Sequence, residues 1–168
     1  MQKNQTKKVA IFGMLIALAF ILSYVESVIS FHFVVPGIKL GLANLVVLLA
    51  LYLLDAKSAL VLSVIRVVLV SFTFGNLYSL WYSLAGAILS YIAMVVLKKS
   101  KAFSIVGVSV SGGVAHNMGQ VMVAMYVLGR GMMYYFPFLM VGGIITGILI
   151  GILGGLVYKQ IKRAVKMD

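Results

Sequence analysis

Arg66, His116, Asn117 and Gln120 carry hydrogen-bonding or charged groups inside stretches that are otherwise almost wholly apolar. His116 and Gln120 stand four residues apart, so on a helix they share a face with Gly112 and Ser109, while Asn117 falls one position round beside Gly113. Polar side chains at bilayer depth cost free energy unless they are paired or wetted. The cluster Ala115-His116-Asn117-Met118-Gly119-Gln120 is therefore a candidate site by default. The competing use is structural: interhelical hydrogen bonds worth about 0.6 to 2 kcal/mol each. Arg66 poses the same question more sharply, because an unpaired guanidinium in mid-membrane costs at least about 2.5 to 3.5 kcal/mol. Its partner is either Glu26, the one acid on the outer half, or an anionic ligand held by the planar guanidinium fork.

The elements that must position these residues follow from composition. Hydrophobic residues make up 63% of the 168-residue chain and charged residues 10%, with a mean hydropathy of +1.15. Soluble domains are roughly 45 to 50% apolar. The chain reads as an all-α integral membrane protein, one domain over 1–168, with six spans near 9–29, 40–54, 59–74, 77–97, 103–128 and 135–158. Spans two and three are short for a crossing. The first apolar stretch follows a basic flank but offers no small-residue cleavage site, which predicts a retained span rather than a signal peptide.

The net charge of +11 is a topology signal. With both termini inside, Lys3, Lys7, Lys8, Lys57, Lys98, Lys99, Lys101, Lys159, Lys162, Arg163 and Lys166 all fall on the cytoplasmic side, and only Lys39 and Arg130 fall outside. Such a distribution favours anionic lipid of the cell membrane over nucleic acid as a partner. Pro36-Gly37 and Gly75-Asn76 punctuate the outer connections. Around them gather His32, Lys39, Asn44, Asn76 and Tyr78 with Phe31, Phe33, Phe72, Phe74, Trp81 and Tyr82, part interfacial aromatic belt and part candidate cavity wall.

Glycine supplies the packing pattern. Gly143, Gly147, Gly151 and Gly155 recur every fourth residue, with Gly142 and Gly154 beside them, and present a smooth face to another helix. Ala10, Gly13 and Ala17, joined by Ala19, form a smaller version in the first span.

Autonomous catalysis is not expected. The three acidic residues, Glu26, Asp55 and Asp168, are too scattered to hold the Mg²⁺ that bridges diphosphate substrates. No GxxxxGK[ST] loop is present, so the chain is not itself an ATPase. The absence of cysteine excludes disulfides, thiolate metal sites and thiol nucleophiles. Neither a metal nor a cofactor is expected.

The runs Pro36-Gly37-Ile38-Lys39-Leu40-Gly41-Leu42-Ala43-Asn44 and Phe74-Gly75-Asn76, with the Arg66 span and the His116 cluster, resemble a bacterial membrane family. It is known as heptaprenyl diphosphate synthase component I and also as Gx transporter. That family is similar in size, span count and first-helix pattern to the substrate-binding S components of energy-coupling factor (ECF) transporters, six-helix proteins that dock on a membrane scaffold driven by two ATPases. The resemblance implies a docking face at Ala10, Gly13 and Ala17, with Gly13 where an alanine is usual. It also implies one of two functions. The first is a transporter subunit binding a small anionic or amphiphilic molecule through Arg66, Lys39, Asn44, Asn76, His116, Asn117 and Gln120. The second is a non-catalytic membrane subunit of isoprenoid or quinone metabolism, or of electron transfer, working beside a prenyl synthase.

Overall fold

A computed structural model describes residues 2–28, 41–75 and 77–165. Lys39, Asn76, His32 and the Pro36-Gly37 turn lie outside the described residues. The described residues form six α-helices, one short 3-10 helix and no strand. The helices are α1 (Gln2–Val28), α2 (Leu42–Leu53), α3 (Ala56–Phe74), α4 (Leu77–Ser100), α5 (Ile105–Leu128) and α6 (Phe136–Val165), with the 3-10 turn at Arg130–Tyr135 leading into α6.

Four of these, α1, α3, α4 and α6, are long and apolar enough to cross a bilayer. The chain is a multi-pass membrane protein. The other two miss that mark for different reasons. α5 has 24 residues, but His116, Asn117, Gln120 and its glycines interrupt the apolar run. α2 has 12 residues, about 18 Å at 1.5 Å per residue, against a hydrocarbon core of about 30 Å.

Shortness is compatible with burial. From Val46 to Leu51 no α2 residue is more than 2% exposed, and Leu15, Ala19, Ala59, Leu62, Met94 and Val108 close around them. The other helices form a ring in the order α1, α3, α4, α5, α6, with α2 completing the circle between α6 and α1.

Glycine sets how closely the ring closes. A Cβ on Gly147 would lie 2.6 Å from Val110 Cα, and one on Gly151 would lie 2.7 Å from Val106 Cα. Gly143 faces Gly113 backbone to backbone. Three members of the α6 stripe are thus spent on α5, whereas Gly155 faces open space and Gly154 takes the Leu48 side chain of α2. On its other side α5 meets α4, with Gly119 against the Ala85 carbonyl and Gly112 against Met94 and Ser90.

Ends are tied by polar groups. Asp55 caps α3 by accepting from Ser58 N–H at 2.7 Å and also pairs with Lys8, joining the start of α1 to the α2–α3 turn. Lys98 donates to the Leu51 carbonyl and lies over the Tyr52 ring, which meets Tyr158 edge-on. At this end lie Lys7, Lys57, Lys99, Lys101, Lys159, Lys162 and Arg163, and at the other only Arg130 among the described cations.

Candidate functional site

At the cation-poor end the helices separate around a cavity of about 330 Å³. α1 contributes Ser23, Glu26 and Ser27, α3 contributes Arg66, Ser71 and Phe74, α4 contributes Ser79 and Ser83, and α5 contributes His116. Phe74 is fixed as part of the wall by rings from α1, its centroid 5.3 Å from Phe20 and 5.1 Å from Tyr24.

Arg66 sits halfway along α3. Its side chain is half-buried, the remaining exposure lying on the cavity, and its Nε is buried without a hydrogen-bond partner among the described residues. Glu26, 8% exposed, faces the same space, and the two charges interact. Glu26 has a second duty. Its Oε1 accepts from the Gly41 N–H at 2.5 Å, fastening the end of α1 to the start of α2. Gly41 reaches that position with φ +74, a left-handed conformation that a side chain would strain.

His116 is brought to Arg66 by the close approach of α4 and α5. A Cβ on Gly86 would stand 2.8 Å from the His116 carbonyl oxygen and 3.0 Å from its ring, so glycine there lets the imidazole approach α4 closely. A smaller space of about 30 Å³ continues from the cavity, lined by Glu26, Arg66 and His116 again and by Gly41, Asn44, Gly113, Asn117, Gln120 and Thr146.

The expected ligand residues therefore divide. Arg66 and His116 share the main cavity. Asn44, Asn117 and Gln120 join them only in the smaller space. Asn117 is further committed, since its Nδ2 donates to the Leu139 carbonyl at 2.6 Å and so ties α5 to α6. Lys39 and Asn76 fall outside the described residues.

Sequence reasoning passed over the hydroxyl lining of Ser23, Ser27, Ser71, Ser79 and Ser83. A signal was present: Ser23 with Ser27 and Ser79 with Ser83 are i, i+4 pairs on otherwise apolar helices.

On α1, Ala10, Gly13 and Ala17 are exposed, and nothing stands within 4 Å of a Cβ placed on Gly13. Ala19 does not belong with them. It is fully buried, because nine residues after Ala10 the 100° step has turned it to the inward face.

No three His, Cys, Asp or Glu side chains converge on a possible metal position among the described residues. The cavity offers a guanidinium, an imidazole, a carboxylate and hydroxyls around an apolar flank. That set can bind and orient a polar or anionic group.

A family model described as heptaprenyl diphosphate synthase component I matches residues 15–157. The chain belongs to this family. Every residue lining the cavity, from Ser23 to His116, falls within the part that the family model spans. Of the exposed α1 face, Ala17 lies inside the match and Ala10 and Gly13 precede it. No curated protein and no solved structure matches the chain.

Proposed function

We propose that this chain is a membrane-embedded binding subunit of S-component type, which takes a small anionic or amphiphilic molecule from the outer side into the Arg66 cavity. In this reading the six helices count as six spans, α2 being only a partial one, in a bacterial cytoplasmic membrane, with both termini inside. The crowding of lysines at the Lys98 end supports that orientation.

One observation carries the reading. Arg66, with an unpartnered buried Nε, lines a cavity together with His116. About 330 Å³ lies within the roughly 300 to 1,000 Å³ usual for small-molecule sites. A charged side chain held at bilayer depth beside such a space is what an anion-binding site requires. Phe74, Val67 and Val70 supply an apolar flank for the remainder of the molecule. Ala10, Gly13 and Ala17 would then dock on a transporter scaffold with its ATPase subunits.

The family's description favours a second reading, an accessory subunit of heptaprenyl diphosphate metabolism that partners a prenyl synthase subunit. A prenyl diphosphate is itself an anionic amphiphile, so Arg66 would serve either role.

Native mass spectrometry of protein purified in mild detergent tests both. The transporter reading expects a small molecule retained by the wild type and lost from Arg66→Gln. A co-purifying synthase subunit with no small molecule would replace it with the second.

A further inference from the structure

A third and deeper space extends the cavity system. It holds about 10 Å³ and shares Gly41, Asn44, Gly113 and Thr146 with the 30 Å³ space, then continues to Ser90 on α4 and Ser109 on α5. The three spaces form one polar series. Arg66, Glu26 and His116 join the first to the second, and Asn44 and Thr146 join the second to the third.

The series descends toward the cation-rich end. Ser109 precedes His116 by two helical turns, about 10 Å along α5, and Ser90 lies about the same distance beyond Ser83 along α4. It stops against Met94 and Ile150, where the α2 core begins.

Ser90 and Ser109 are 3% and 5% exposed, respectively. Ser23, Ser27 and Ser111 quiet their hydroxyls by donating to a carbonyl one turn back. Among the described residues Ser90 and Ser109 make no such bond. Both serines line the deepest space, and a space of about 10 to 15 Å³ with polar walls suffices for one water.

Charge selects the occupant. Among the described residues no carboxylate lines the deepest space. Glu26, in the adjoining space, takes the Gly41 N–H and faces Arg66, so its charge is already engaged and the deepest space offers a metal cation only neutral oxygens.

We propose that water enters beyond the ligand cavity along this track between α2, α4, α5 and α6, and ends in a bound water held by Ser90 and Ser109. The track rests on the reading of the Arg66 cavity as open to water. It hydrates the far side of the guanidinium and supplies the polar medium that a charge at this depth needs.

The absence of native cysteine permits a direct test. Single variants Ser83→Cys, Ser90→Cys, Ser109→Cys and Ser63→Cys are purified in detergent and exposed to Ag⁺, which is small enough to follow a water path and caps thiols. They are then denatured and labelled with a fluorescent maleimide. Ser83 lines the main cavity, whereas Ser63, 3% exposed, lines none of the three spaces.

The track predicts loss of labelling at positions 83, 90 and 109 and full labelling at 63. Capping at 83 with full labelling at 90 and 109 overturns the track and leaves the cavity standing. Full labelling at 83 removes the wet cavity, and the binding reading with it. Thr146→Cys reports on the same track from α6 should either deep variant fail to fold.

Discussion

Asn117 and Leu139 are joined by a hydrogen bond of 2.6 Å between side-chain amide and backbone carbonyl, and this bond divides the polar cluster of α5 into two functions. One residue earlier, His116 turns toward α4 and the Arg66 cavity. Adjacent positions on a helix diverge by 100°, so a compact polar motif can serve a helix lock and a cavity at once.

Asn117→Ala is expected to lower stability by about 0.6 to 2 kcal/mol, the range for interhelical hydrogen bonds in membranes. Thermal unfolding in detergent measures it. A variant as stable as the wild type would show that the bond is not a lock.

Gly147→Ala should cost about 1 to 3 kcal/mol, because its Cβ would fall 2.6 Å from Val110 Cα and force α5 and α6 apart. Gly155→Ala, which meets open space, should be neutral or slightly stabilising. Comparing the two melting temperatures isolates packing from helix propensity, since both replacements gain propensity equally.

Asp55 supplies an acid-sensitive tie at the opposite end. The hydrogen bond from Lys8 and the Ser58 N–H hold its carboxyl down from the ordinary 3.8 to about 2. Its contribution is therefore complete above pH 4 and is lost as pH falls through about 2. The carboxylate is 39% exposed, so the tie is a screened surface interaction of about 0.2 to 1 kcal/mol. Asp55→Asn should lower the melting temperature slightly at pH 7 and converge with the wild type only as the pH falls through about 2.

Gly13→Leu tests the docking face. With nothing within 4 Å of the new Cβ, the isolated subunit should keep its melting temperature. Co-purification of a scaffold should be lost, because a bulky side chain blocks close helix approach. Unchanged recovery of the scaffold would place the docking surface elsewhere.

Much of this architecture was legible from apolar runs, turn residues and glycine spacing, including the helical class and the isolation of Arg66 and His116. The burial of α2 was not. In a membrane the lipid-facing surface is as apolar as the core, so fully buried Leu48 and Leu49 on α2 read the same as exposed Ile148 and Leu149 on α6. The split between His116 and Asn117 was equally hidden, because it depends on which helices flank α5. Gly86 and Leu139 decide it, and both are distant in sequence. The serine walls were readable in principle as i, i+4 pairs, but each hydroxyl taken singly resembles an ordinary helix residue bonding its own backbone.

The shortness of α2 has an electrical consequence. In the orientation proposed above, a wet well reaching Arg66 from outside would carry the outer potential inward with it, and the membrane voltage would drop mostly across the dry Leu48 and Leu51 layer beneath. A full crossing costs an elementary charge about 2.3 kcal/mol per 100 mV. An anion binding at Arg66 would meet little of that, and nearly all the electrical work would fall on its release toward the lysine-rich side.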